Sequence, residues 1–229
     1  MKVLISPSKT MQAAKTDDHN HPLFHKNKQV LLKYLQNMSL IKLKTYLSLS
    51  DALLQTNYER YQNFEEVHKA GLSYTGTQFK ALDYKSLDRS SQAFLNDCLY
   101  IISGLYGLVR PNDTIGMYRL PMELTYNNQK LSNYWKKPIK DHLKDTRVIN
   151  LASKEYSDAL DKSLQVITIK FKGAHAMLAK KLRGLMTRYI ALNKAETLES
   201  LKAFSAEGFF YNPEASTDGI LVFSAKKRP

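Results

Sequence analysis

Between Gln165 and Asn193 the chain changes its hydrophobic period once, and that change limits the folds open to it. Gln165-Val-Ile-Thr-Ile-Lys-Phe171 alternates and is β-branched, which predicts a strand. Gly173 breaks the chain, and a helix is predicted from about Ala174 to Asn193, with Leu178, Leu182, Leu185 and Tyr189 at helical spacing on its core side. Strand-then-helix signals recur along the chain. Further strands are predicted at 2–6, 147–152, 208–211 and 220–223, and helices near 22–37, 40–48, 50–69, 90–102 and 132–144. Ser153 should cap a short helix through Leu160, and Thr197 a helix to about Phe204. Ser39, Ser50 and either Ser90 or Ser91 are further N-cap candidates, and residues 105–130 look irregular. No internal repeat or low-complexity linker is visible. The fold class read from this is mixed α/β: a single compact domain, 1–229, with a mixed sheet surrounded by helices and a frayed basic tail at 225–229. The first strand should pair with a strand distant in sequence.

The chain's 229 residues suffice to bury a core, and 43% apolar with 24% charged residues excludes a disordered protein. No apolar run is long enough to cross a bilayer. Met1-Lys-Val-Leu-Ile-Ser-Pro7 is too short and too soon interrupted for a signal peptide, and no membrane partner is expected. The single cysteine, Cys98, excludes an intrachain disulfide and lies in an apolar helical pattern, which predicts a buried, inert thiol. The six histidines lack ligand spacing, so neither a metal site nor a cofactor is expected.

The formal net charge is +13, which favours polyanion partners by counterion release. A merely soluble basic protein is the competing explanation. The distribution sharpens the point, because Lys162 to Ala195 contains no Asp or Glu. Lys180, Lys181, Arg183 and Arg188 fall mostly off the apolar stripe of the predicted helix and make a one-sign face, which costs self-repulsion unless an anion sits against it. Residues 1–50 carry eight lysines against Asp17 and Asp18.

Two strand exits suggest anion sites. The first strand leaves through Ser6, Ser8, Lys9 and Thr10, and Asn150, Ser153 and Tyr156 follow the strand at 147–152. Neither has P-loop glycines, and a structural turn or cap accounts for either equally well. Gly104 and Gly107, within Ile101-Ile-Ser-Gly-Leu-Tyr-Gly-Leu-Val-Arg-Pro111, follow the apolar end of the predicted fourth helix. One reading is a helix-hairpin element whose bare N–H groups grip a phosphate backbone; the other is a buried turn. Pro111 would hinder a second helix unless it falls in its first turn.

Taken together, Ile5-Ser-Pro-Ser-Lys-Thr10, Tyr74-Thr-Gly76, Ser103 to Pro111, Tyr118-Arg119, Val148 to Ser153 with Glu155-Tyr156, Arg183-Gly-Leu-Met-Thr-Arg188 and Glu207-Gly208 resemble, in order and spacing, the YaaA family of bacterial peroxide stress proteins. The resemblance runs from Lys2 to Phe223. It implies a cytoplasmic protein that protects against hydrogen peroxide, limits iron-mediated damage and binds DNA in association with repair by recombination. It also implies one α/β domain with a positively charged cleft and a helix-hairpin-helix element, whose glycines here would be Gly104 and Gly107.

The expected activity is therefore binding of duplex or branched DNA without sequence specificity, through Lys9, Gly104, Gly107, Arg110, Arg119, Lys180, Lys181, Arg183 and Arg188. The alternative is an enzyme acting on a phosphate-bearing small molecule or damaged nucleic acid in the same cleft. Its pocket would hold Ser6, Ser8, Thr10, Asn150, Ser153, Tyr156 and Glu207, with Glu207 as general acid or base. No carboxylate pair or metal set names a reaction, and direct iron handling lacks clustered ligands.

Overall fold

The computed structural model describes residues 1–225, so Lys226 to Pro229, nearly all of the basic tail, lie outside the described residues. The fold is organised around β1 (Lys2–Ile5), whose Val3, Leu4 and Ile5 are fully buried. A run apolar on both faces is what a central parallel strand requires. From β1 the chain passes through α1 (His25–Gln36), α2 (Leu40–Leu47), α3 (Asp51–Gln62), β2 (His68–Lys69), α4 (Ala70–Ser73), α5 (Thr77–Leu82) and α6 (Arg89–Cys98). It then enters β3 (Leu99–Ser103), which pairs parallel to β1, and turns back through β4 (Gly107–Val109) at the sheet edge.

After β5 (Thr114–Ile115), β6 (Thr125–Tyr126), β7 (Gln129–Lys130) and α7 (Leu131–Leu143), the chain crosses to the other side of β1 as β8 (Val148–Asn150). It continues outward through α8 (Lys154–Ser157), β9 (Val166–Lys172), α9 (Ala176–Asn193), α10 (Leu198–Lys202), β10 (Ser205–Ala206), β11 (Phe209–Tyr211) and β12 (Ile220–Ala225). The main sheet has eight strands in the order β10-β11-β12-β9-β8-β1-β3-β4, parallel from β12 to β3 and antiparallel at both edges. The mixed α/β class and the distant pairing of β1 are as the sequence reading has them. Because the strand order reverses at β1, a crevice opens outside its carboxyl end, the usual ligand position in an open α/β sheet.

Three local expectations are corrected. The fourth helix stops at Cys98, and Leu99–Ser103 is a strand. The run is buried throughout, so it carries a parallel-strand pattern rather than a helical stripe. Asp88, not Ser90 or Ser91, caps α6, its carboxylate accepting the Ser91 N–H at 2.7 Å. The third helix ends at Gln62, seven residues before the expected boundary, and its last predicted residues form β2. Ser39 and Thr197 cap as expected, and Ser50 occupies the N-cap of α3 without a side-chain bond.

The helix-hairpin-helix expectation also gives way. Gly104 and Gly107 lie in a buried β3–β4 hairpin. Ser103 Oγ accepts the N–H groups of Leu105 and Tyr106, at 3.2 and 3.0 Å, and the Gly104 carbonyl accepts the Trp135 indole N–H at 2.8 Å. Gly107 has φ +75°, with the Trp135 and Phe24 rings packed where a Cβ would stand. Groups used in this way cannot grip a phosphate, so this segment is a core turn.

Candidate functional site

The carboxyl ends of β1 and β8 are laced together. Ser6 Oγ accepts the Ser153 N–H at 2.8 Å and lies 3.2 Å from Ser153 Oγ. Ser153 stands at the N-cap of α8, but its hydroxyl meets Ser6 rather than capping the helix. The following loop is held as well: Ser8 Oγ accepts the Thr10 N–H at 3.2 Å, and the Thr75 hydroxyl donates to Thr10 Oγ1 at 3.0 Å. Beneath it, Tyr118 shares hydrogen bonds with Tyr74 at 2.7 Å and with Ser103 at 2.6 Å. Burial pushes the Tyr118 hydroxyl up to about 12, so this chain stays protonated.

The opposite wall comes from α5 and α9, which cross at Gly184. A Cβ there would stand 2.1 Å from the Gln78 carbonyl oxygen, so only glycine permits the approach. The crossing sets Arg183 beside Gln78. Between the walls lies a cleft of about 260 Å³ lined by Ser6, Ser8, Lys9, Thr10, Gln78, Phe79, Ser153, Glu155, Tyr156, Lys180 and Arg183, among others. A second cleft, of about 730 Å³, runs over β9 and the start of α9. It is lined by Asn150, Lys154, Thr168, Lys170 and Lys172, and it shares Arg183 with the first. The two clefts adjoin at Arg183, which lines both, and are taken together as a two-lobed groove; Glu155 is the only acid among their described lining residues.

Arg183 is an unusual group, and Arg119, in the adjoining recess, shares its buried, unpartnered Nε. Among the described residues the Arg183 guanidinium makes no hydrogen bond or ion pair, and its Nε is buried without a partner. Burial draws its pKa below the ordinary arginine value. Gln78 Nε2 and Glu155 Oε1, lining the same lobe, are also buried and unpartnered. Burial raises the Glu155 carboxyl and the Glu123 charge adds to the shift, while Lys9, the Met122 backbone N–H and the Tyr156 hydroxyl oppose it. A buried cation without a counter-ion costs stability, so the protein keeps a charge here that an anion would neutralise.

Of the residues predicted from sequence, Lys9, Lys180, Arg183, Ser6, Ser8, Thr10, Ser153 and Tyr156 converge on the first lobe. Arg119 lines a small recess next to it, with Ser8, Lys9 and Tyr156. Asn150 lines the second lobe, where its Oδ1 accepts the Ala152 N–H at 2.9 Å.

The others lie elsewhere. Arg188 donates to the carbonyls of Leu82 and Asp83, both at 3.0 Å, and to Ser86 Oγ at 2.9 Å, tying down the end of α5. Lys181 pairs with Glu207 at 2.9 Å. Glu207, at φ 52°, and Gly208, at φ 76°, form the two-residue turn between β10 and β11, a hairpin geometry that requires positive φ. The Arg110 guanidinium lies 5.9 Å from the centre of the Tyr100 ring and lines neither lobe. Glu207 is thus a turn residue and not a pocket acid.

Gln78, Phe79, Glu155, Lys154, Lys170 and Lys172 are among the lining residues missing from the predicted set. Glu155 stands in a quoted block, whereas Gln78 is signalled only by being two residues beyond Tyr74-Thr-Gly76. Cys98 is partly buried, and its thiol is pushed up to about 12 by burial, which suits an inert group. Among the described residues no three His, Cys, Asp or Glu side chains are grouped to hold a metal ion, and no helix is long and apolar enough to cross a membrane.

Residues 1–215 match the family model described as peroxide stress protein YaaA. Proteins similar along their whole length include a UPF0246 protein of Finegoldia magna, 35% identical over 97% of both chains. A UPF0246 protein of Flavobacterium johnsoniae is 35% identical over 98% of this chain and 100% of its own. One of Clostridioides difficile is 31% identical, over 97% of this chain and 99% of its own.

Proposed function

The chain belongs to the peroxide stress protein YaaA family, which ties it to the oxidative stress response, and we propose that its part there is to bind DNA by the phosphate backbone along the two-lobed groove. The observation that carries this reading is Arg183, a half-buried guanidinium without a partner among the described residues, where the lobes meet. Lys9 and Lys180 flank it in the first lobe, and Lys170 and Lys172 line the second. Phosphate contacts of this kind carry little sequence information and suit duplex or branched DNA of any sequence. The Gly104–Gly107 turn has no role in this binding.

The test is fluorescence anisotropy with duplex and branched oligonucleotides across a salt series. Affinity should fall steeply with salt, and Arg183→Ala should weaken binding about tenfold and reduce the salt slope by about one. Binding that ignores salt, or an Arg183→Ala variant that binds like the wild type, would overturn the reading.

One observation favours a second reading, catalysis on a phosphate-bearing molecule in the first lobe. Glu155 faces that lobe with a carboxyl raised by burial, the property of a general acid. Turnover of such a molecule, abolished in Glu155→Gln, would support it.

A further inference from the structure

Backbone binding leaves part of the first lobe unexplained. A phosphate would satisfy Arg183 and could accept from Gln78 Nε2, but it would repel the Glu155 carboxylate. The orphaned atoms are a donor, Gln78 Nε2, in a residue only 6% exposed, and an acceptor, Glu155 Oε1. Buried polar atoms without partners cost stability and call for an explanation. The occupant must therefore bring an anion for Arg183, an acceptor for Gln78 and a donor for Glu155. The aromatic side chains of Phe79 and Tyr156, both 6% exposed, line the same lobe, with Phe79 stacked on Tyr74 behind it. A cavity of about 260 Å³ has room for one small molecule and none for a duplex.

A nucleotide has all of these features at once. Its phosphate is the anion, its base edge presents a donor beside an acceptor, and its base is an apolar plate that packs against an aromatic-lined wall. We propose that the first lobe takes a single nucleotide unit, with the phosphate against Arg183, Lys9 and Lys180 and the base edge against Gln78 and Glu155. This rests on the backbone-binding reading for the anion and extends it to the base. The unit has two possible sources: a free mononucleotide, or a nucleotide at an end of DNA or extruded from a mismatch, where unstacking costs least.

The experiment begins with the unmodified protein. The four deoxynucleoside monophosphates, deoxyribose 5-phosphate and inorganic phosphate are titrated calorimetrically. At least one mononucleotide should bind ten times more tightly than deoxyribose 5-phosphate, and Gln78→Met, checked for an unchanged melting temperature, should remove that advantage. In a second arm, 2-aminopurine is placed at a duplex end and at a mismatch. A rise in its fluorescence on binding assigns the nucleotide to DNA; tight mononucleotide binding without that rise assigns it to the free pool.

Mononucleotides that bind no better than deoxyribose 5-phosphate, together with silent 2-aminopurine, would overturn the proposal. If salt-dependent DNA binding still required Arg183 in that case, the backbone reading would stand alone. If DNA binding did not require Arg183, the backbone reading itself would have failed.

Discussion

At the scale of single residues, two arginines five positions apart on one helix have opposite fates. Arg188 spends its guanidinium on the Leu82 and Asp83 carbonyls and the Ser86 hydroxyl. Arg188→Ala should therefore lower the unfolding free energy by about 1–3 kcal/mol in urea titrations and leave the salt slope of DNA binding unchanged. Among the described residues Arg183 has no such partner. Arg183→Met should melt at or above the wild-type temperature in calorimetry while losing DNA affinity, because an unpaired half-buried charge is exchanged for a side chain that packs. Glu155 gives a prediction in pH. Its carboxyl is raised in the folded state, so the neutral form is favoured there. That contribution is complete below the ordinary carboxylate range and is lost as pH rises through the raised value. Glu155→Gln, which stays neutral, should be more stable than the wild type near pH 7, with the gap closing as the pH falls to about 4. Urea midpoints across that range would measure it.

At the scale of elements, the site depends on the α5–α9 crossing. Gly184→Ala would put a methyl 2.1 Å from the Gln78 carbonyl and must push the helices apart. A loss of about 1–3 kcal/mol in chemical denaturation is expected, with weaker DNA binding as Arg183 moves away from the lobe. The two elements differed in how well the sequence revealed them. α9 has 18 residues, long enough for its apolar stripe to be read, and β1, β8, β9 and β12 announced themselves by β-branched or apolar runs. α5 has six residues, under two turns, so no period develops and its Gln78 stayed hidden. β3 was read as helix because an unbroken apolar run fits either state until its sheet partners are known. The same limit divided the basic face of α9. At about 100° per residue, Lys180 and Arg183 share one side, while Lys181 and Arg188, seven apart, share another. Composition showed a run of cations without showing that helix phase would send only half of them to the groove. The serine–lysine loop after β1 and the segment after β8 were legible as anion sites because strand ends and hydroxyls are local signals. That they face each other follows only from the pairing of β1 with β8.

At the scale of the whole molecule, a net charge of +13 would attract DNA wherever the cations lay, so salt dependence alone does not locate the binding surface. The groove gathers Lys9, Lys154, Lys170, Lys172, Lys180 and Arg183 over the carboxyl ends of the parallel strands, and among the described residues Lys154 alone of these has an ion-pair partner, Asp158 at 2.8 Å. If each neutralised one phosphate of duplex DNA, the affinity would fall with salt at a log–log slope of about −5. Position can be separated from total charge by removing equal charge from two places. One variant carries Lys9→Ala, Lys180→Ala and Arg183→Ala. The other carries Lys26→Ala, Lys33→Ala and Lys42→Ala, exposed side chains that line neither lobe. Both have the same net charge and the same long-range attraction. Direct phosphate contacts are lost only from the first, which should shallow the slope by about three units and weaken binding at physiological salt. The second should change the slope by less than one unit. Equal losses from the two variants would mean that DNA is held by the field of the whole molecule and that the groove is not its seat.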